Sequence, residues 1–186
     1  GKDVKYTKKD LDGDTVFDKI DNSRAMFVPG YNPSKIWAAE GCGISLLGYR
    51  YSVQEVEKFL WDREFSYRKS QLLHEIGNEI VSPRDFLMCH FHITDWIHHL
   101  YADEKAGRQD EEKVMEAYEK IGRFAGEIKK KAEKSSYDRI IFMSDHGLPE
   151  GEQHNQNAFY SCNQELFPEK EPRITDFCRK FVDLNS

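Results

Sequence analysis

No apolar run in this 186-residue chain approaches the about 20 residues that a membrane-spanning helix needs. No signal-peptide pattern is present either, so no membrane partner is expected. An excess of basic residues is also missing. Lys and Arg number 27 against 33 Asp and Glu, a net charge of −6, which argues against broad binding of nucleic acid or anionic membranes through charge. The four cysteines (Cys42, Cys89, Cys162 and Cys178) show no Cys-x-x-Cys spacing. Cys89 and Cys162 fall in predicted strands and read as buried thiols. A reduced, cytoplasmic setting fits them, although an even count leaves disulfides open. There is no repeat and no low-complexity run, and the sequence does not give an oligomeric state.

What is present is enough for a sizeable core, with 39% hydrophobic residues in a chain of one domain or a little more. The most informative stretch runs from Arg139 to His154. Ile140, Ile141, Phe142 and Met143 form a short apolar run closed by Gly147 and Pro149, the pattern of a buried strand. Asp145 and His146 stand at its carboxyl end, where open α/β sheets bind ligands. A carboxylate and an imidazole side by side can both turn toward one divalent metal. His154 follows in a loop with Gly151.

A second stretch repeats the pattern. Asp85 to Phe91 is apolar and bounded by Pro83, and His92-Ile-Thr-Asp95-Trp-Ile-His98-His99 follows. If a helix starts with Thr94 as N-cap, Asp95 and His99, spaced i, i+4, share one face. A single Asp-His pair after a strand is more often a turn carboxylate beside a surface histidine. Two pairs at two strand ends, with His154, make five Asp/His donors, most of a two-metal site. His90 and His92 share a strand face, where a packed role competes with support of a metal ligand.

Phe-Met-Ser-Asp145-His146-Gly147 with Gly-Glu-Gln-His154 resembles the metal motifs of the alkaline phosphatase superfamily. Asp95-Trp-Ile-His98-His99 resembles the Asp-x-x-x-His motif of its type I phosphodiesterase/nucleotide pyrophosphatase branch. The resemblance implies one metal on Asp95, His99 and His154. It implies a second on Asp145 and His146 with two residues from the family's N-terminal region. It further implies zinc (with manganese or iron as alternatives) and a small phosphate-ester or nucleotide substrate. Sulfatase-like or phosphomutase-like chemistry and a catalytically inactive metal-binding fragment are the competing expectations. The family's N-terminal metal-binding Asp and its Thr or Ser nucleophile have no match here. Ser34 and Ser45 are nucleophiles by type but sit too close to Asp95. The chain is therefore expected to be the C-terminal part of a longer protein and poorly active alone.

In chain order, residues 1–14 are Lys/Asp-rich and expected to be loose. A short helix follows from Thr15, capped by Asp14 or Thr15, then a strand over Ala25 to Val28 and a long loop over 30–51 anchored by Trp37, Ile44, Leu46 and Leu47. In the resembled family that region lies near the substrate pocket. One helix is predicted from Ser52 to Trp61, with Val53, Val56, Phe59 and Leu60 inward. A second is predicted from Tyr67 to Ile80, with Leu72, Leu73, Ile76 and Ile80 inward and His74 at the surface. Glu111 to Lys134 reads as the longest helix, with Val114, Met115, Tyr118, Ile121, Phe124, Ala125 and Ile128 at helical spacing. Ala158 to Cys162 reads as a strand and Ile174 to Leu184 as an amphipathic helix. The strand–helix–strand order from Asp85 to Met143 is a crossover, so those two strands should be parallel with their carboxyl ends on one edge. The expected fold is a single α/β domain over 1–186, part of a larger catalytic domain, with three α/β/α layers around a mainly parallel sheet.

Overall fold

The computed structural model describes residues 9, 13–29, 31–32, 53–78, 84–102, 110–147, 149–150, 153–154, 157–168 and 171–186. Five helices are described: α1 (Val16–Lys19), α2 (Val53–Asn78), α3 (Ile93–Tyr101), α4 (Glu111–Ala132) and α5 (Ile174–Leu184). The strands are β1 (Ser23–Met26), β2 (Phe86–Cys89), β3 (Ile141–Met143), β4 (Pro149–Glu150), β5 (Gln153–His154) and β6 (Tyr160–Cys162). This mixture of helices with a small parallel sheet is an α/β fold. No described helix is long and apolar enough to cross a membrane.

β1 and β2 run parallel, Ser23 opposite Phe86 and Met26 opposite Cys89, and His90 N extends the ladder by donating to Met26 O at 2.9 Å. Parallel neighbours need a crossover, and α2 lies within it. The chain leaves the end of β1 through a tight turn in which Asn32 Nδ2 donates to Ala25 O at 2.5 Å and Asn32 Oδ1 accepts from Val28 N at 3.0 Å. At the other end of β1, Thr15 N and Oγ1 both donate to the Asp18 carboxylate, at 3.0 and 2.7 Å, fixing the start of α1.

The two helices predicted over 52–80 are one. Residues 62–66 contain no Pro or Gly to break it. The i, i+4 pairs Lys58–Asp62 and Glu64–Arg68 carry it across the expected gap. Its inward stripe is Trp61, Glu64, Phe65, Arg68, Leu72, Glu75 and Ile76. Phe59, expected inward, is 50% exposed, because at 3.6 residues per turn it lies nearly opposite that stripe. Three of the stripe's positions are charged, which hid its period. Met115, also expected inward, lies on the outer face of α4. Elsewhere α4 follows its pattern: Val114, Ala117, Phe124 and Ala132 are buried, Asp110 caps it by accepting from Lys113 N at 3.2 Å, and Lys129, Lys130 and Lys131 complement the dipole at its end.

Two cores result. Met26, Trp61, Phe65, Leu72, Ile76, Ile97, Leu100, Val114 and Phe124 form the first, among α2, α3 and α4. Ile20, Leu166, Phe177 and Phe181 form the second, against α1 and α5. Alternation along the strands divides them: Leu87 and Cys89 face the first, Phe86, Ile141 and Met143 the second.

The crossover predicts β2 and β3 parallel in one sheet; among the described residues each pairs with a different strand. β2 pairs with β1, whereas β3 pairs antiparallel with β6, Ile141 opposite Cys162 and Met143 opposite Tyr160. Among the described residues no ladder joins β2 to β3, since the recorded hydrogen bonds of each go to another strand. The predicted strand over Ala158 to Cys162 begins its ladder at Tyr160. α3 begins at Ile93, so His92 rather than Thr94 holds the N-cap position. Ser34, Cys42, Ser45 and the anchors Trp37, Ile44, Leu46 and Leu47 lie outside the described residues.

Candidate active site at the carboxyl ends of two strands

The β1–β2 ladder ends at His90, and the chain turns at once into α3, which carries Asp95 and His99 at i and i+4 on its backbone. His92 Nε2 meets Asp95 Oδ2 at 2.8 Å, an i, i+3 pair whose carboxylate is largely shielded (10% exposed). The rings of His90 and His92 stack with centroids 6.2 Å apart. His98 turns the other way and bonds Tyr118 Oη through Nε2 at 3.0 Å, tying α3 to α4. The side chain of His99 lies outside the described residues.

At the end of β3, Ser144 N still donates to Phe159 O at 2.9 Å, and the Ser144 hydroxyl donates to His146 O, so the turn holding Asp145 and His146 is fixed at both ends. His146 Nδ1 bonds Gly147 O at 2.8 Å. A carbonyl only accepts, so Nδ1 carries a proton in this bond, and the ring turns its other nitrogen, Nε2, to Asp145. That nitrogen lies 3.7 Å from Asp145 Oδ1, and Asp145 is 73% exposed. The antiparallel β4–β5 pair then sets His154 opposite Pro149, returning the backbone toward the Asp-His turn. The side chain of His154 lies outside the described residues.

Electrostatics link the two strand ends. His90 is held well below its ordinary value, at about 4, first by burial, then by the Arg68 guanidinium and His92, with the Asp145 carboxylate opposing. The Asp145 charge thus acts, as the smallest of these influences, on the histidine at the end of β2. The Asp95 charge also raises Tyr118, after burial. Burial pushes the Cys89 thiol up to about 12, leaving it inert at neutral pH.

Asp145 and His146 fit a divalent metal by donor type, tautomer and spacing. Among the described residues, no group of three or more His, Cys, Asp or Glu side chains gathers to hold one.

Sequence reading missed Arg68 and Glu64. Arg68 Nε donates to Glu64 Oε1 and Nη1 donates to His90 O at 2.6 Å, the guanidinium lying 5.0 Å over the Phe27 ring. The available signal was an Glu-x-x-x-Arg pair in register with the apolar residues Trp61, Phe65 and Leu72.

Searches of curated proteins and of solved structures gave no match. The family model for type I phosphodiesterase / nucleotide pyrophosphatase matches residues 6–174, and so covers both strand ends. The chain belongs to the type I phosphodiesterase / nucleotide pyrophosphatase family.

Proposed function

We propose that this protein is a metal-dependent hydrolase of phosphate esters, acting on phosphodiester or nucleotide pyrophosphate bonds. In this reading Asp95, His99 and His154 hold one divalent metal, and Asp145 and His146 contribute to a second. Zinc is the first choice for this Asp/His set and manganese the alternative. The observation that carries the reading is the Asp145–His146 turn, with Nε2 of a Nδ1-protonated imidazole facing a carboxylate oxygen at 3.7 Å, in a chain of a phosphoester-hydrolase family. When bound, divalent metal would polarise the phosphoryl group and offset its developing charge.

The chain's own residues have separate tasks. Gly147 O fixes the tautomer of His146. His92 fixes the orientation of the Asp95 carboxylate through Oδ2. His90, held neutral, adds no positive charge beside Asp145. The two cores on opposite sides of β2 and β3 support a three-layer α/β/α arrangement. Among the described residues Cys89, Cys162 and Cys178 are free thiols, in keeping with a reducing compartment.

The test is hydrolysis of bis-p-nitrophenyl phosphate with excess zinc or manganese. Chelator should abolish it and Asp145→Asn should lower it about 100-fold; a rate indifferent to both would refute the reading. A sulfate ester assayed in parallel distinguishes sulfatase-like chemistry. A second reading, metal binding without turnover, is favoured by the lack of three gathered donors among the described residues. Zinc binding with no hydrolysis would select it.

A further inference from the structure

Glu64 and Arg68 are each only 2% exposed, and their ion pair lies in the core beneath the ends of β1 and β2. Such pairs rarely add net stability, because desolvation of two charges offsets their attraction, and an apolar pair of similar size often serves the fold as well. The geometry suggests another task. Nη1 of Arg68 holds His90 O at 2.6 Å, one residue beyond β2, while His90 N remains on Met26 O. Both hydrogen-bonding groups of His90 are therefore fixed, two residues before His92 and five before Asp95. The same guanidinium lies over Phe27, whose φ of +58° is a strained value for a bulky residue. One side chain thus touches the residue that follows each of the two parallel strands.

We propose that Arg68, oriented by Glu64, is a positioning residue: it sets the direction in which the chain leaves β2, and through it the His92–Asp95 pair. The proposal rests on the phosphoester-hydrolase reading for its consequence, but its geometry can be tested without it. Glu64 takes the Nε face of the guanidinium and leaves Nη1 for His90 O. A lysine offers a single ammonium and cannot serve both acceptors with this fork geometry.

The experiment compares wild type with the double variant Glu64→Leu/Arg68→Met and with Arg68→Lys. Thermal unfolding, the imidazole nitrogen NMR signals of His90 and His92, and hydrolysis of bis-p-nitrophenyl phosphate with zinc are measured. The double variant should unfold at or above the wild-type temperature, yet show displaced His92 signals and hydrolysis lowered about tenfold or more. Arg68→Lys should fold and show the same displacement to a smaller degree. It serves alone if the double variant does not fold. Native His92 signals in either folded variant would overturn the proposal. If wild type hydrolyses nothing, the functional reading fails, and the NMR comparison still decides the role of Arg68.

Discussion

Lowering the pH should charge His90 against its surroundings. Its value falls from an ordinary 6.5 to about 4 through burial, Arg68 and His92, against Asp145. The unfolded chain then binds a proton that the folded chain refuses, so stability rises with pH between about 4 and 6.5 and is lost as pH falls through that window. From these two values the loss is about 2 kcal/mol between neutral pH and pH 5, levelling near about 3 kcal/mol below pH 4. His90→Gln keeps the backbone carbonyl that Arg68 holds and removes the titrating ring. Urea unfolding of both proteins at pH 7.5 and pH 5 isolates the effect, because every other group titrates in both. Wild type should lose about 2 kcal/mol more than the variant. Equal losses would refute the burial and charge argument for this residue.

Other outcomes follow from the packing and the donors. Trp61, 1% exposed and stacked on Phe65 with centroids 5.5 Å apart, should cost about 3–5 kcal/mol when changed to Ala, whereas Phe59→Ser should stay within about 0.5 kcal/mol; chemical denaturation checks both. Asp110→Ala removes the cap of α4 and should cost about 1 kcal/mol, read from the same curves. Calorimetric titration with zinc should show one tight site that disappears in His154→Ala. Equal loss in His146→Ala and His154→Ala would contradict the proposed division of ligands.

The parts of the fold legible in the sequence are those whose period is undisturbed by charge. The helix over Ile174 to Leu184 and the start of α4 at Glu111 coincide with the apolar spacing and caps, and Asp145-His146 does follow a strand. α2 was divided because Glu64, Arg68 and Glu75 interrupt its buried stripe, and these charges are tolerated only through tertiary partners: Arg68 on His90 O, and Glu75 facing Arg24 at 3.2 Å and Arg84 at 3.6 Å. The crossover from β2 to β3 predicts their common direction but not their neighbours, and β3 takes as its neighbour β6, which lies nearer to it in the sequence than β2 does. At the site, the donor types could be read locally. The His92–Asp95 bond is an i, i+3 contact that spacing allows once His92 is known to precede α3, whereas the action of Asp145 on His90 joins residues far apart in the chain, which spacing does not encode.

The most direct test of the proposed metal centre is anomalous diffraction from crystals of the protein loaded with zinc, recorded on both sides of the zinc edge. The expected result is a strong peak at the Asp95, His99 and His154 donors and a second at Asp145 and His146, each at about 2.0–2.2 Å from its donor atoms. Zinc bound elsewhere, with no peak at either strand end, would contradict the proposal.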